Sequence, residues 1–179
     1  MYLVQNEFFL SGTLNIFIPT PTVNSIATTY GGVMKIAVGS DHAGRELKDF
    51  LRDKLSDLGY EVTDCGPASD KSVDYPDFAR IVCDLVVGGE VAYGILMCGT
   101  GIGISMAANK IHGIRAALCN TELSARLARL HNDANVLALG GRVIGKDLAL
   151  SIAQVFLGEK FSGVDRHQRR IDKMMNLES

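Results

Sequence analysis

The sequence predicts an α/β fold, a three-layer α/β/α sandwich around an open five-stranded parallel sheet of the Rossmann or flavodoxin-like kind. Three observations carry that prediction. From residue 34 onward, short apolar runs alternate with segments of helical periodicity ten to fifteen residues long, the signature of βαβ units. The apolar runs are nearly continuous rather than alternating, as strands covered on both faces are. Gly is abundant at 19 residues while aromatics are 7% and Trp is absent, a balance suited to tight turns rather than to an aromatic-rich interaction surface. Right-handed crossovers then place helices on both faces of the sheet.

The elements follow in order. Residues 35–38 form a first strand, and the turn G-S-D-H-A-G leads into a helix over 44–58, with Leu47, Phe50, Leu51, Leu55 and Leu58 on one face and Gly59 as its stop. Residues 61–64 are a second strand, closed by Gly66-Pro67. A polar loop precedes a helix with Phe78, Ile81, Val82 and Leu85 on its buried face, ended by Gly88-Gly89. Residues 93–97 are a third strand, running into the loop C-G-T-G-I-G and a helix over 102–110. Residues 114–118 make a fourth strand, and Asn120 or Thr121 caps a helix through Leu123, Leu127 and Leu130. A fifth strand over 135–139, a helix over 146–157 and a basic helix over 165–175 complete the chain.

At 179 residues the chain suffices for one domain with an appendage, at about 100–200 residues per domain. Hydrophobic residues are 47% and charged residues 21%, which excludes a wholly disordered chain. Eighteen Lys and Arg against 20 Asp and Glu give a net charge of −2 with no block of like charges. Composition therefore gives no case for nucleic acid or an anionic membrane as partner. Cys65, Cys83, Cys98 and Cys119 form no CxxC pair and no disulfide framework, so reduced thiols in a cytoplasm are expected. Residues 1–33 stand apart: their one charged residue is Glu7, no basic start exists, and polar residues and two prolines break every apolar stretch. That is neither a secretory signal nor a membrane span of about 18 apolar residues. An organelle-targeting leader would be Arg-rich. The domain is expected to begin at Met34, with 1–33 an extension or a misassigned start.

In open parallel sheets ligands sit beyond the carboxyl ends of the strands. That rule selects Ser40-Asp41-His42, the loop from Cys98 to Gly103, and His131-Asn132 before the fifth strand. Gly99, Gly101 and Gly103 around Thr100, just before a helix, allow close backbone approach and leave N–H groups facing a ligand. The loop lacks the Lys-Ser/Thr ending of a P-loop. Cys98 is either a core thiol or, because a helix N-terminus favours the thiolate, a base or nucleophile. Cys65, Cys83 and Cys119 are expected to be inert. His131 either caps its helix or relays a proton. Asp41-His42 is either a turn acid with its neighbour or a functional pair, and His112 is expected at the surface. Arg142, Arg166, Arg169 and Arg170 are either a solvated face or the cationic groups an anionic substrate needs. No His, Cys, Asp or Glu spacing suits a metal, so none is expected.

Six segments together resemble a known family. They are G-S-D-H-A-G at 39–44, D-Y-P at 74–76, I-L-M-C-G-T-G-I-G-I-S-M-A-A-N-K at 95–110, G-I-R-A-A at 113–117, A-R-L-A-R-L-H-N-D-A-N-V-L-A at 125–138 and R-H-Q-R-R at 166–170. In this order they resemble the ribose-5-phosphate isomerase B family, which also includes galactose-6-phosphate isomerase subunits. The resemblance spans 34–179 and none of 1–33. It implies interconversion of ribose 5-phosphate and ribulose 5-phosphate in the non-oxidative pentose phosphate pathway, without metal or organic cofactor. It implies Cys98 as the group that moves a proton between C2 and C1 and His131 as the acid and base of ring opening. Thr100 and Tyr75 then share the pocket, Asp41, His42 and Asn132 contact the sugar, and the loop of Gly99, Thr100, Gly101, Ile102 and Gly103 offers backbone donors. Arg142, Arg166 and Arg170 match the phosphate contacts. One branch of the family uses a glutamate where this chain has Ile104, so the chain sides with the cysteine branch. The resemblance further implies a homodimer with shared sites, without choosing between that dimer and a tetramer, and a phosphosugar as partner.

Two rivals stand beside this reading. One is a hexose 6-phosphate isomerase, acting on allose or galactose 6-phosphate, on the same scaffold. The other is a flavodoxin-like binding or receiver module, which would want a phosphorylatable Asp where this chain has Cys98. Expressed from Met34, the protein is expected to fold and to isomerise ribose 5-phosphate; loss of either would show that 1–33 belongs to the domain.

Overall fold

A computed structural model of the protein describes residues 32–178, so the expectation placed on 1–33 lies outside the described residues apart from Gly32 and Val33. The elements are β1 (Lys35–Ser40), α1 (Arg45–Asp57), β2 (Glu61–Asp64), α2 (Tyr75–Val87), β3 (Tyr93–Cys98), α3 (Ile102–Ala108), β4 (Ala116–Leu118), α4 (Glu122–Asn132), β5 (Val136–Gly140), α5 (Lys146–Gly158) and α6 (Asp165–Met175). All four strand pairings are parallel, in the order β2-β1-β3-β5-β4. The last two strands are exchanged relative to the flavodoxin order 2-1-3-4-5. Chain order departs in opposite directions from β1 and β3, the switch point at which open α/β sheets form a ligand crevice beyond their carboxyl ends.

The sheet separates two apolar layers because successive strand residues face opposite ways. Ile36, Val38, Ile95, Met97, Leu137 and Leu139 pack under α1, α4 and α5 with Leu51, Leu55, Ile152 and Phe156. Ala37, Leu96, Cys98, Val136 and Ala138 pack under α2 and α3 with Ala79, Val82, Cys83, Ile104 and Ala108.

Three local expectations need correction. The buried stripe of α2 is Ala79, Val82 and Cys83, whereas Ile81 is 47% exposed. The cause lies in the sheet: Cβ atoms on Gly39 and Gly94 would come within 2.7 Å of the two Val82 methyls, so Val82 sits against bare backbone and Ile81 turns outward. On α4 the buried face is Ala125, Ala128 and Arg129, and Leu123 is exposed. The capping choice falls on Thr121, whose Oγ1 accepts the Ser124 N–H at 3.2 Å. Helix α3 stops at Ala108 rather than 110, and β4 starts at Ala116 rather than 114. Asn109 makes both changes, donating from Nδ2 to the Ser105 and Ala116 carbonyls and accepting the Ala116 N–H on Oδ1.

Two cations are buried within this frame. Arg129 donates to Tyr93 Oη at 2.7 Å, Asp133 Oδ1 at 2.6 Å and the Ala134 carbonyl at 2.8 Å, with its Cζ 4.6 Å from the Tyr93 ring centre. Lys48, 1% exposed on α1, reaches both oxygens of Asp64 at 2.6 Å. Asp64 also accepts from Gly66 N–H at 2.9 Å and Arg52 Nη1 at 2.9 Å. Gly66 O in turn accepts the Ser40 N–H at 3.0 Å, so this ion cluster fixes where β1 ends. Burial pushes the Asp64 carboxyl up, but the bonds from Lys48, Gly66 and Arg52 outweigh it and hold the group below its ordinary value. A carboxyl depressed by folding contributes stability that is present above its unfolded pKa and lost as pH falls through its folded one. Acid titration of thermal stability is therefore expected to show a loss below about pH 4 that Asp64→Asn flattens. An unchanged acid slope in that variant would contradict the assignment.

Candidate active site

The carboxyl ends of β1 and β3 gather one set of the candidate residues. Cys98 closes β3 and is 4% exposed, facing the α2 and α3 layer. Its Sγ accepts the N–H of Gly101 at 3.1 Å. Gly101 makes that contact with φ of 77°, and a Cβ there would lie 2.5 Å from Leu118 Cδ1 and 2.8 Å from the Leu139 carbonyl carbon. Only glycine lets the loop fold back so that its amide meets the sulfur. Ile102 N–H donates to Thr100 Oγ1 at 3.3 Å, while the Ile102 side chain is exposed. Two of the donors expected from the loop are thus engaged within it. The Gly103 N–H, in the first turn of α3, has no partner within the helix.

The neighbours close around this loop. A Cβ on Gly103 would lie 2.7 Å from Tyr75 Cζ, so glycine lets the Tyr75 ring rest on the start of α3. Asp41 is 7% exposed; its N–H donates to the Met97 carbonyl at 3.1 Å and its Oδ1 accepts the Gly44 N–H at 2.9 Å. His42 Nδ1 accepts the Val73 N–H at 3.3 Å, which leaves the proton of the neutral ring on Nε2. Gly141 N–H donates to the Cys98 carbonyl and Arg142 N–H to the Gly99 carbonyl, both at 2.9 Å, and the Arg142 side chain runs beside Gly99.

The remaining candidates form a second set elsewhere. His131 and Asn132 end α4, and Arg166 and Arg170 lie on α6. The His131 ring centre is 4.3 Å from that of His167, which also accepts from Arg166 Nε at 3.3 Å. Asp133 fixes this corner: at φ of 44° it caps α4, its two oxygens taken by Arg129 and Arg115, while Arg115 Nε also donates to the Asn132 carbonyl. A cavity of about 410 Å³ borders Asn132 and Arg115.

The expectation that His131-Asn132 lies with the carboxyl-end loops is corrected here. The helices run back against the strands, so a loop leading into β5 lies at the amino ends. Val136 pairs with Gly94 at that end and Gly140 with Cys98 at the other. Four steps along the strand, about 13 Å, separate the two levels. Within one chain the two sets do not meet. His167 went unassigned in the sequence, and the Gly101 amide, expected as a donor to substrate, is turned to the Cys98 sulfur instead. His167 sits inside the quoted R-H-Q-R-R motif and shares with Ile171 the buried side of an otherwise charged helix, a spacing of four that could have marked it.

Burial works against ionisation of the other cysteines. Cys83 is fully buried and its thiol is pushed up to about 12, by burial first and by the Asp84 charge second. Burial also raises Cys119, and burial followed by the Asp64 charge raises Cys65. His112 is exposed beside Glu178, as expected. Among the described residues no group of three or more His, Cys, Asp or Glu is placed to hold a metal ion.

A parallel α/β sheet with a crevice at its β1/β3 boundary, carrying a thiol on a glycine loop, defines a small-molecule enzyme of the doubly wound class. Residues 36–174 match the Ribose/Galactose Isomerase family, and the chain belongs to it. The ribose-5-phosphate isomerase B of Escherichia coli (strain K12) is 49% identical over 144 residues, covering 80% of this chain and 96% of that protein. Among solved structures, ribose-5-phosphate isomerase B of Clostridium thermocellum is 52% identical with a TM-score of 0.79, covering 81% of this chain and 97% of the other. That of Thermotoga maritima is 51% identical with a TM-score of 0.78, covering 80% and 98%.

Proposed function

We propose that the chain is an aldose–ketose isomerase interconverting D-ribose 5-phosphate and D-ribulose 5-phosphate through an enediolate, a step of the non-oxidative pentose phosphate pathway. The observation that carries this reading is the Cys98 sulfur held against the Gly101 amide at the mouth of the β1/β3 crevice. Family membership and relatives named for that reaction support it.

Ring opening comes first. Ribose 5-phosphate is a furanose, so the C1–O4 bond must break, with O4 gaining a proton and O1–H losing one. His131 serves as that acid and base, with Asn132 beside it on the sugar. The Cys98 thiolate then takes the C2 proton of the open aldehyde and returns it to C1, while the hydroxyl proton of O2 moves to O1. The carbonyl passes from C1 to C2 and no atom is gained or lost. The main cost is negative charge on oxygen. Each amide donor aimed at such an oxygen contributes about 2.7–4 kcal/mol in comparable sites, and a positioned base about 10²–10⁴-fold. Loop amides of Gly99, Thr100 and Gly103 serve as donors, with Gly101 reserved for the sulfur and Ile102 held by Thr100. Asp41, His42, Tyr75 and the Thr100 hydroxyl hold the sugar hydroxyls. Arg142, Arg166 and Arg170 take the phosphate, a dianion suited to guanidinium forks.

The strand length between the two residue sets supports a site built from two copies of the chain. A homodimer in which one subunit supplies the Cys98 set and the other the His131 set completes each site. Residues 34–179 form the isomerase domain. The setting is a reducing cytoplasm, which suits four free thiols. Among the described residues no helix is long and apolar enough to cross a membrane.

Cys98→Ala is expected to lower kcat on ribose 5-phosphate by about 10²–10⁴-fold while phosphosugar still binds. Retention of most activity would remove Cys98 from its role. In the same assay kcat/KM on ribose 5-phosphate is expected to exceed that on allose and galactose 6-phosphates; the reverse order would make the protein a hexose phosphate isomerase.

A further inference from the structure

His167 is 6% exposed on an otherwise charged helix, against the ring of His131. Its two nitrogens are both engaged: Nδ1 lies 2.8 Å from Ser162 Oγ, and Nε2 accepts from Arg166 Nε at 3.3 Å. A guanidinium only donates, so Nε2 carries no proton; the neutral ring keeps its proton on Nδ1 and donates it to Ser162. Burial, then the charges of His131, Arg166 and Arg170, hold His167 below the ordinary imidazole value, with the Leu130 carbonyl pulling the other way. The ring is therefore a neutral, fixed group with the ring-opening histidine packed against it at a 45° tilt and a phosphate-binding arginine on its edge.

We infer that His167 is a positioning residue that couples phosphate capture to ring opening, by seating His131 through its face and anchoring Arg166 through Nε2. This deepens the isomerase reading and rests on it. A charged ring in that place would repel His131 whenever it carried a proton, and would repel Arg166 throughout. A neutral one offers a π face to the protonated His131 and an acceptor to Arg166. The phosphate and the ring oxygen of one substrate then meet groups held at a fixed separation.

Two variants divide the roles. His167→Phe keeps a ring under His131 and removes the acceptor for Arg166; His167→Gln keeps an acceptor and removes the ring. The readouts on the full-length protein are KM for ribose 5-phosphate and the ratio of solvent-deuterium exchange at C1 of ribulose 5-phosphate to its net conversion. Ribulose 5-phosphate cannot close through its phosphorylated C5 oxygen, so the exchange needs Cys98 but no ring opening. His167→Phe is expected to raise KM about tenfold, the size of one charge-assisted hydrogen bond, with the ratio little changed. His167→Gln is expected to raise the ratio several-fold with KM little changed. If both variants keep wild-type KM and ratio while His131→Ala raises the ratio, the inference fails and the isomerase reading stands. If His131→Ala leaves the ratio unchanged, the ring-opening role of His131 itself fails. Should either variant not fold, ¹⁵N shifts of the wild-type protein decide: a proton on Nδ1 supports the anchor, and one on Nε2 overturns it.

Discussion

A parallel sheet has two unlike ends, and every strand here points its carboxyl end the same way. That constraint governs the molecule. Groups that follow strands gather at one edge and groups that precede them gather at the other, at least the length of β5 apart. Cys98 follows β3 and His131 precedes β5, so within one chain they lie at opposite ends of the sheet. The proposed chemistry is accordingly one shared between two copies.

At the carboxyl edge the decisive feature is small: one amide pointed at one sulfur. Gly101 achieves it through a left-handed backbone packed against β4 and β5, where any side chain would strike Leu118 and Leu139. The same glycine-based closeness recurs at Gly103 under Tyr75 and at Gly39 and Gly94 under Val82. The first two shape the crevice and the last two set the depth of α2, which carries Tyr75 at its start. At the opposite corner the fixing is electrostatic, with Asp133 between Arg115 and Arg129 where α4 turns into β5.

Much of this was legible in the sequence. Continuous apolar runs marked β1, β3 and β5, because burial on both faces leaves a plain signal in composition, while the mostly exposed β2 was marked by its place between the Gly59 helix stop and Gly66-Pro67. The glycine loop and Cys98 stood out for the same reason that they work, since unusual backbone needs glycine. What escaped was set by contacts between distant segments. Ile81 and Leu123 looked like core residues by type, yet bare backbone at Gly39 and Gly94 drew Val82 inward, and Arg129 took the place beneath α4. Asn109 ended a helix by bonding to a strand that no local pattern connects to it. His131 was marked as a functional candidate but assigned to the wrong edge, because the carboxyl-end rule applies to loops that leave strands and not to loops that enter them. His167 was hidden among arginines whose charge drew attention first.

The shared site can be tested by mixing two defective proteins. Cys98→Ala and His131→Ala chains, co-expressed so that they pair at random, should recover about a quarter of wild-type activity beyond the sum of the two variants alone, since half the dimers then hold one intact site of two. No recovery in verified mixed dimers would contradict the account, because it would mean that each chain needs both residues for itself.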